Sequence, residues 1–101
     1  MFYIYLLQNS ESKETYTGIT ADLRQRVKEH NAKGNKFTTR KSGQWNLKYY
    51  EAYASKKDAI ERESKLKKHG STKHNLRQRL KHSLEPKIGA GRSKRTQATV
   101  Y

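Results

Sequence analysis

Three runs along the chain concentrate apolar and aromatic residues. Residues 2–7 (Phe-Tyr-Ile-Tyr-Leu-Leu) are aromatic and branched. Residues 15–19 combine Thr, Tyr and Ile around one glycine, and residues 45–53 carry four aromatics. Each run predicts a strand. The polar stretch 9–14 between the first two has the composition of a hairpin loop. Thr20 or Asp22 can cap a helix running to about Ala32 and ended by Gly34-Asn35. Ser55 can cap a second helix to about His69, closed by Gly70. Ser71 or Thr72 opens a third helical stretch, with Leu76, Leu80 and Leu84 at fourfold spacing, and Pro86 stops it. The predicted fold is α+β, a small three-stranded antiparallel sheet flanked by helices in the order β-β-α-β-α-α. Residues 1–84 form the expected domain. Residues 85–101, rich in Gly, Ser, Thr and basic side chains, read as a basic tail with too little to bury for a fixed structure.

Charge narrows the partner. The 101 residues hold 23 Lys plus Arg against 9 Asp plus Glu, a net charge of +14. Such an excess points to an anionic partner, although a cationic solvated surface would carry it too. The chain has no cysteine. Disulfides, thiolate zinc sites and cysteine nucleophiles are thereby excluded, and a reducing cytoplasm is the expected location. No apolar run reaches membrane-spanning length, and residues 2–7 are too short for a signal segment, so no membrane partner is expected. His30, His69, His74 and His82 lack a zinc-ligand spacing.

Helical phase exposes charges on apolar faces. With Leu23 at zero, Val27 falls at about +40°, His30 at about −20° and Arg26 at about −60°. Arg26 and His30 thus share the arc of the two apolar residues. Each has a structural explanation: a snorkelling arginine, and a histidine favoured by a helix C-terminus. In the second helix, with Ala59 at zero, Leu66 lies at about −20° and Glu63 at about +40°. An inward carboxylate needs a partner, either an arginine such as Arg26 or a divalent cation. In an antiparallel hairpin, Tyr3-Ile4-Tyr5 and Tyr16-Thr17-Gly18 would place two phenols on neighbouring strands, within reach of one bound group.

These strings and helices resemble the GIY-YIG nuclease superfamily, most closely small single-domain members akin to the N-terminal domain of the excision-repair nuclease subunit. Tyr3-Ile4-Tyr5 stands at the GIY string and Tyr16-Thr17-Gly18 at the YIG string. Residues 20–31 match the family's first helix, with its arginine at Arg26 and its histidine at His30. Residues 59–68 match the second, with its metal-binding glutamate at Glu63. The resemblance covers about residues 1–82. Tyr3 departs from the first glycine and Thr17 from the second isoleucine. Asn75 is a candidate for a downstream asparagine that many members carry.

The resemblance implies a metal-dependent endonuclease hydrolysing DNA phosphodiester bonds with one divalent ion, Mg²⁺ or Mn²⁺, in DNA repair or recombination. RNA is not excluded as substrate. Catalysis would fall to Tyr5, Tyr16, Arg26 and His30, with Glu63 on the metal. Arg26 would contact the scissile phosphate, while Tyr5, Tyr16 or His30 would handle the attacking water. Lys36, Arg40 and Lys41 in the basic loop, with Lys67 and Lys68 on the second helix, are the expected nucleic-acid contacts. The alternative is a non-catalytic nucleic-acid-binding module, whose contacts would be mainly to phosphates. Trp45 reads as core, Tyr49, Tyr50 and Tyr53 as packing or stacking residues, and Gly18 as a point of close backbone approach or a bulge.

Overall fold

The computed structural model describes residues 1–32 and 42–86. The elements are β1 (Phe2–Asn9), β2 (Thr15–Thr20), α1 (Leu23–Asn31), β3 (Trp45–Tyr53), α2 (Lys56–Lys68) and α3 (Gly70–Arg79). Their order is the one the periodicity predicts. The sheet is antiparallel in the order β2-β1-β3, which makes β1 the central strand.

Coverage on both faces explains why β1 reads as a continuous apolar run rather than an alternation. Ile4 and Leu6 join Ala59, Leu66, Leu76 and Leu80 in one core. Tyr5 and Leu7 join Trp45 in a second, closed by Leu23 and Val27 of α1. The helices α2 and α3 therefore cover one face and α1 the other.

The polar end of β1 is buried, and its side chains do structural work. Asn9 Oδ1 accepts from the backbone N–H groups of Glu11 (2.9 Å) and Ser12 (3.0 Å), and its Nδ2 donates to the Ser42 carbonyl (2.9 Å). One amide thus shapes the hairpin loop and ties it to the approach to β3. Gln8 grips both backbone groups of Glu85, donating to its carbonyl at 2.7 Å and accepting from its N–H at 2.8 Å. Lys13 and Lys48 reach the Glu85 carboxylate. Of the expected tail 85–101, residues 87–101 lie outside the described residues.

The helix boundaries differ from expectation in detail. Asp22 caps α1 through its Oδ1, while the Thr20 hydroxyl accepts from the Asp22 N–H. Ser55 stands at the start of α2, but its side chain makes no capping bond. Gly70 does not close α2: His69 separates the two helices in an extended conformation and Gly70 is the first residue of α3. The third helix ends at Arg79. The chain beyond it turns without lengthening the helix, so that Leu84, whose N–H reaches the Leu80 carbonyl at 2.9 Å, still packs on the core.

A carboxylate clamp joins β3 to α2. Glu51 accepts from the Tyr49 and Tyr53 hydroxyls, both at 2.6 Å, and from Arg62 Nε and Nη2, both at 2.9 Å. Burial alone would raise the Glu51 pKa. The bonds from Arg62, Tyr49 and Tyr53 outweigh it and bring the value from 4.5 down to about 2. A folded-state value below the unfolded one makes the clamp's contribution complete above pH 4.5. It is lost as pH falls toward about 2. Urea unfolding of wild type and Glu51→Gln should therefore show a stability gap that closes across that window. A gap constant with pH would show that the clamp carries no ionic stabilisation.

Candidate active site

The site forms on the α1 face of the sheet, towards the β2 edge. Tyr5 pairs in register with Gly18 on β2. A Cβ on Gly18 would stand 2.3 Å from the Tyr5 hydroxyl oxygen and 2.5 Å from its Cζ. Glycine is required here because the hydroxyl end of the Tyr5 ring occupies the space a side chain would fill. Two residues earlier on the same face, Tyr16 places its ring 6.3 Å from that of Tyr5. Near the end of α1, His30 turns inward as its helical phase predicts and is 8% exposed. Its Nε2 lies 2.9 Å from the Tyr5 hydroxyl, and its ring is 4.8 Å from that of Tyr16.

Tyr5 is 2% exposed. Burial pushes its phenol well above the ordinary value. Tyr16, Glu63 and Glu29 add to the shift, and Arg26 opposes it. In the free protein, burial thus favours the protonated phenol, whose hydroxyl pairs with His30. Tyr16 is half-buried and has a face towards solvent.

Arg26 stands one turn before His30, with its side chain 37% exposed and Nη1 3.3 Å from Glu29. Its field reaches Tyr5, yet its ion-pair partner is on its own helix. Glu63 of α2 is largely enclosed and pairs with Lys67 Nζ at 3.3 Å. Of the two partners expected for Glu63, an arginine or a divalent cation, Arg26 is not the one it meets: a single Arg26 nitrogen contacts Glu29 on its own helix, and Lys67 stands one turn beyond Glu63. The same ammonium lies 5.8 Å from the centre of the Tyr16 ring. Lys67 thus belongs to the site itself as well as to the basic surface.

Among the described residues, no group of three or more His, Asp or Glu side chains could hold a metal ion. Glu63 offers a single carboxylate. That suits a hard ion such as Mg²⁺, which is often held by one or two carboxylates with waters and substrate phosphates. The structure thus brings Tyr5, Tyr16, Arg26, His30, Glu63 and Lys67 to one region. Lys68 is exposed on α2 and Asn75 on α3. Lys36, Arg40 and Lys41 lie outside the described residues.

Sequence reasoning missed two contributors. Arg77 of α3 donates to Thr15 Oγ1 at 2.8 Å, placing a guanidinium beside the residue preceding Tyr16. Asn31 accepts from the Trp45 N–H (2.7 Å) and donates to the Trp45 carbonyl (3.0 Å). It locks the end of α1, next to His30, onto β3. Nothing in the spacing of Asn31 distinguishes it from an ordinary helix-end residue. Trp45 is core as read, and the exposed Tyr50 packs edge-on against Tyr3 at 5.9 Å.

Comparison with known proteins places these features in context. A family model described as the GIY-YIG catalytic domain matches residues 1–75. A UPF0213 protein of Streptococcus pyogenes serotype M5 (strain Manfredo) is 38% identical over 86 residues, covering 84% of this chain and 91% of that protein. A UPF0213 protein of serotype M3 (strain SSI-1) is equally similar, at 38% identity with the same coverage. The solution NMR structure of a UPF0213 protein from Bacillus halodurans is 34% identical. It covers 80% of this chain and 86% of its own, with a TM-score of 0.49.

Two glycines give the site an internal control. Gly18→Ala must displace the Tyr5 ring, and overpacking of this kind should cost about 1–3 kcal/mol in denaturant unfolding. A Cβ on Gly70 meets nothing. Gly70→Ala should instead be neutral, or stabilising by up to ~1 kcal/mol. Equal stability of the two variants would contradict the packing of Tyr5 on Gly18.

Proposed function

We propose that this chain, which belongs to the GIY-YIG family and within it to the UPF0213 proteins, is a metal-dependent endonuclease that hydrolyses DNA phosphodiester bonds. The family's domain is a nuclease domain, and the substrate it implies is a nucleic acid. The observation that carries the reading is the convergence of Tyr16, Arg26, His30 and Glu63 on one region of a chain with net charge +14.

The roles follow from exposure and partners. Arg26 is accessible and only loosely engaged by Glu29, so its planar fork is free to take two oxygens of the scissile phosphate. Tyr16 is the phenol that reaches solvent, and it takes the attacking water or a phosphate oxygen. Tyr5 holds the His30 ring in place through its hydroxyl. His30 thereby presents a fixed ring edge beside Tyr16. Glu63 would hold the divalent ion, Mg²⁺ or Mn²⁺. When bound, that ion supplies Lewis acidity to the phosphoryl group and the leaving oxygen. Lys67, Lys68 and the loop cations Lys36, Arg40 and Lys41 supply phosphate contacts along the strand. A place in DNA repair or recombination rests on the resemblance to the excision-repair nuclease domain. Among the described residues no helix is long and apolar enough to cross a membrane.

The test is cleavage of flap, nicked, single-stranded and duplex DNA, with RNA alongside, in Mg²⁺ or Mn²⁺. Glu63→Gln and Arg26→Ala should each lower cleavage about 10²–10³-fold, the loss typical of removing one preorganised electrostatic contact. Retained DNA binding would separate these losses from failed association. Cleavage by Glu63→Gln equal to wild type would remove the metal role. Salt-sensitive binding with no cleavage of any substrate would favour the non-catalytic binding module instead.

A further inference from the structure

Glu63 and Lys67 form a contact that differs from a routine helix-surface pair. The two stand one turn apart on α2, with the glutamate N-terminal to the lysine. That spacing is common on solvated helix faces. Here the glutamate side chain is only 20% exposed, and the ammonium also lies 5.8 Å from the ring centre of Tyr16 on β2. The lysine therefore bridges two elements across the site, and its charge sits beside the one carboxylate assigned to a cation. A divalent ion at that carboxylate and the ammonium would repel each other.

We propose that Lys67 is the resident counter-ion of Glu63 in the free protein, and that a substrate phosphate draws it away and opens the carboxylate to the divalent cation. This inference rests on the reading of Glu63 as the cation ligand. Three properties support the exchange. The Lys67 side chain is 49% exposed, and its long flexible stem carries a point charge that can turn to a new anion without rearranging the helix. Lysine makes three donors available, so it has no fixed geometric commitment to the carboxylate. The charges also balance: Glu63 with Lys67 sums to zero, as do Glu63 and Lys67 together with a divalent ion and two strand phosphates. Metal and nucleic acid then bind cooperatively, and each must strengthen the other by the same factor.

The size of the effect is bounded by the contacts displaced. A partly exposed ion pair and an exposed cation–π contact are each weak, so removing them should change affinity about three- to tenfold. Isothermal titration of Mn²⁺ into the protein without nucleic acid reads the first half. Lys67→Met should bind Mn²⁺ about three- to tenfold tighter than wild type, and Glu63→Gln should lose the site. Fluorescence anisotropy with a labelled, hydrolysis-resistant phosphorothioate DNA reads the second half. Mn²⁺ should tighten DNA binding to wild type about three- to tenfold, and Lys67→Met should lose that gain while Lys67→Arg keeps part of it. Unchanged or weaker Mn²⁺ binding in Lys67→Met, with binding abolished in Glu63→Gln, overturns the exchange and leaves the Glu63 assignment standing. Equal Mn²⁺ binding by Glu63→Gln and wild type overturns both.

Discussion

The central strand β1 lies between β2 and β3 with helices over both of its faces, so that Ile4, Tyr5, Leu6, Leu7, Gln8 and Asn9 are all buried. This double burial constrains the rest. It forces Tyr5 into the core, and the phenol fits only because Gly18 has no side chain. It forces a polar partner on the Tyr5 hydroxyl, since a buried O–H left unsatisfied is costly. His30 supplies that partner, which fixes the rotation of α1 and so the direction of Arg26, one turn earlier. A single packing requirement thus sets the geometry of several site residues.

The two inward carboxylates near α2 are treated in opposite ways. Glu51 is surrounded by four donors from three side chains, and its charge is held over a wide pH range. A carboxylate so saturated has no lone pair readily offered to a ligand and serves as a clamp. Glu63 is nearly as enclosed, but its ion-pair partner is a flexible lysine at 3.3 Å. The proposed cation role of Glu63 draws on this contrast. Stability comes from a carboxylate that is fully spoken for, whereas ligand binding needs one whose partner can leave.

Much of the fold was legible because each element has a strong local signal. The strands announce themselves by aromatic and branched residues, and the charges on apolar arcs identify Arg26, His30 and Glu63. The polar residues at the end of β1 were not legible. Asn9 and Gln8 carry no periodic signal, and their partners Ser42 and Glu85 lie far along the chain. Gly70 misled because a glycine after a helix usually closes it. Here a single extended residue, His69, makes the turn, and the glycine opens the next helix. Helical phase showed that Glu63 points inward but not which cation it meets. That choice depends on the reach of side chains between elements, where Lys67 one turn away prevails over Arg26 on another helix.

The same limit explains why the tyrosine strings alone could not assign roles. Both phenols sit on the same face of adjacent strands, and alternation treats them alike. Their difference comes from position in the sheet. Tyr5 is on the central strand, beneath α1, where burial raises the pKa of its phenol. Tyr16 is on an edge strand, where one side of the ring remains open and a lysine from α2 can approach it. Strand order, which neither string encodes, thus divides two equivalent residues into an inner phenol hydrogen-bonded to His30 and an outer phenol that is only half-buried.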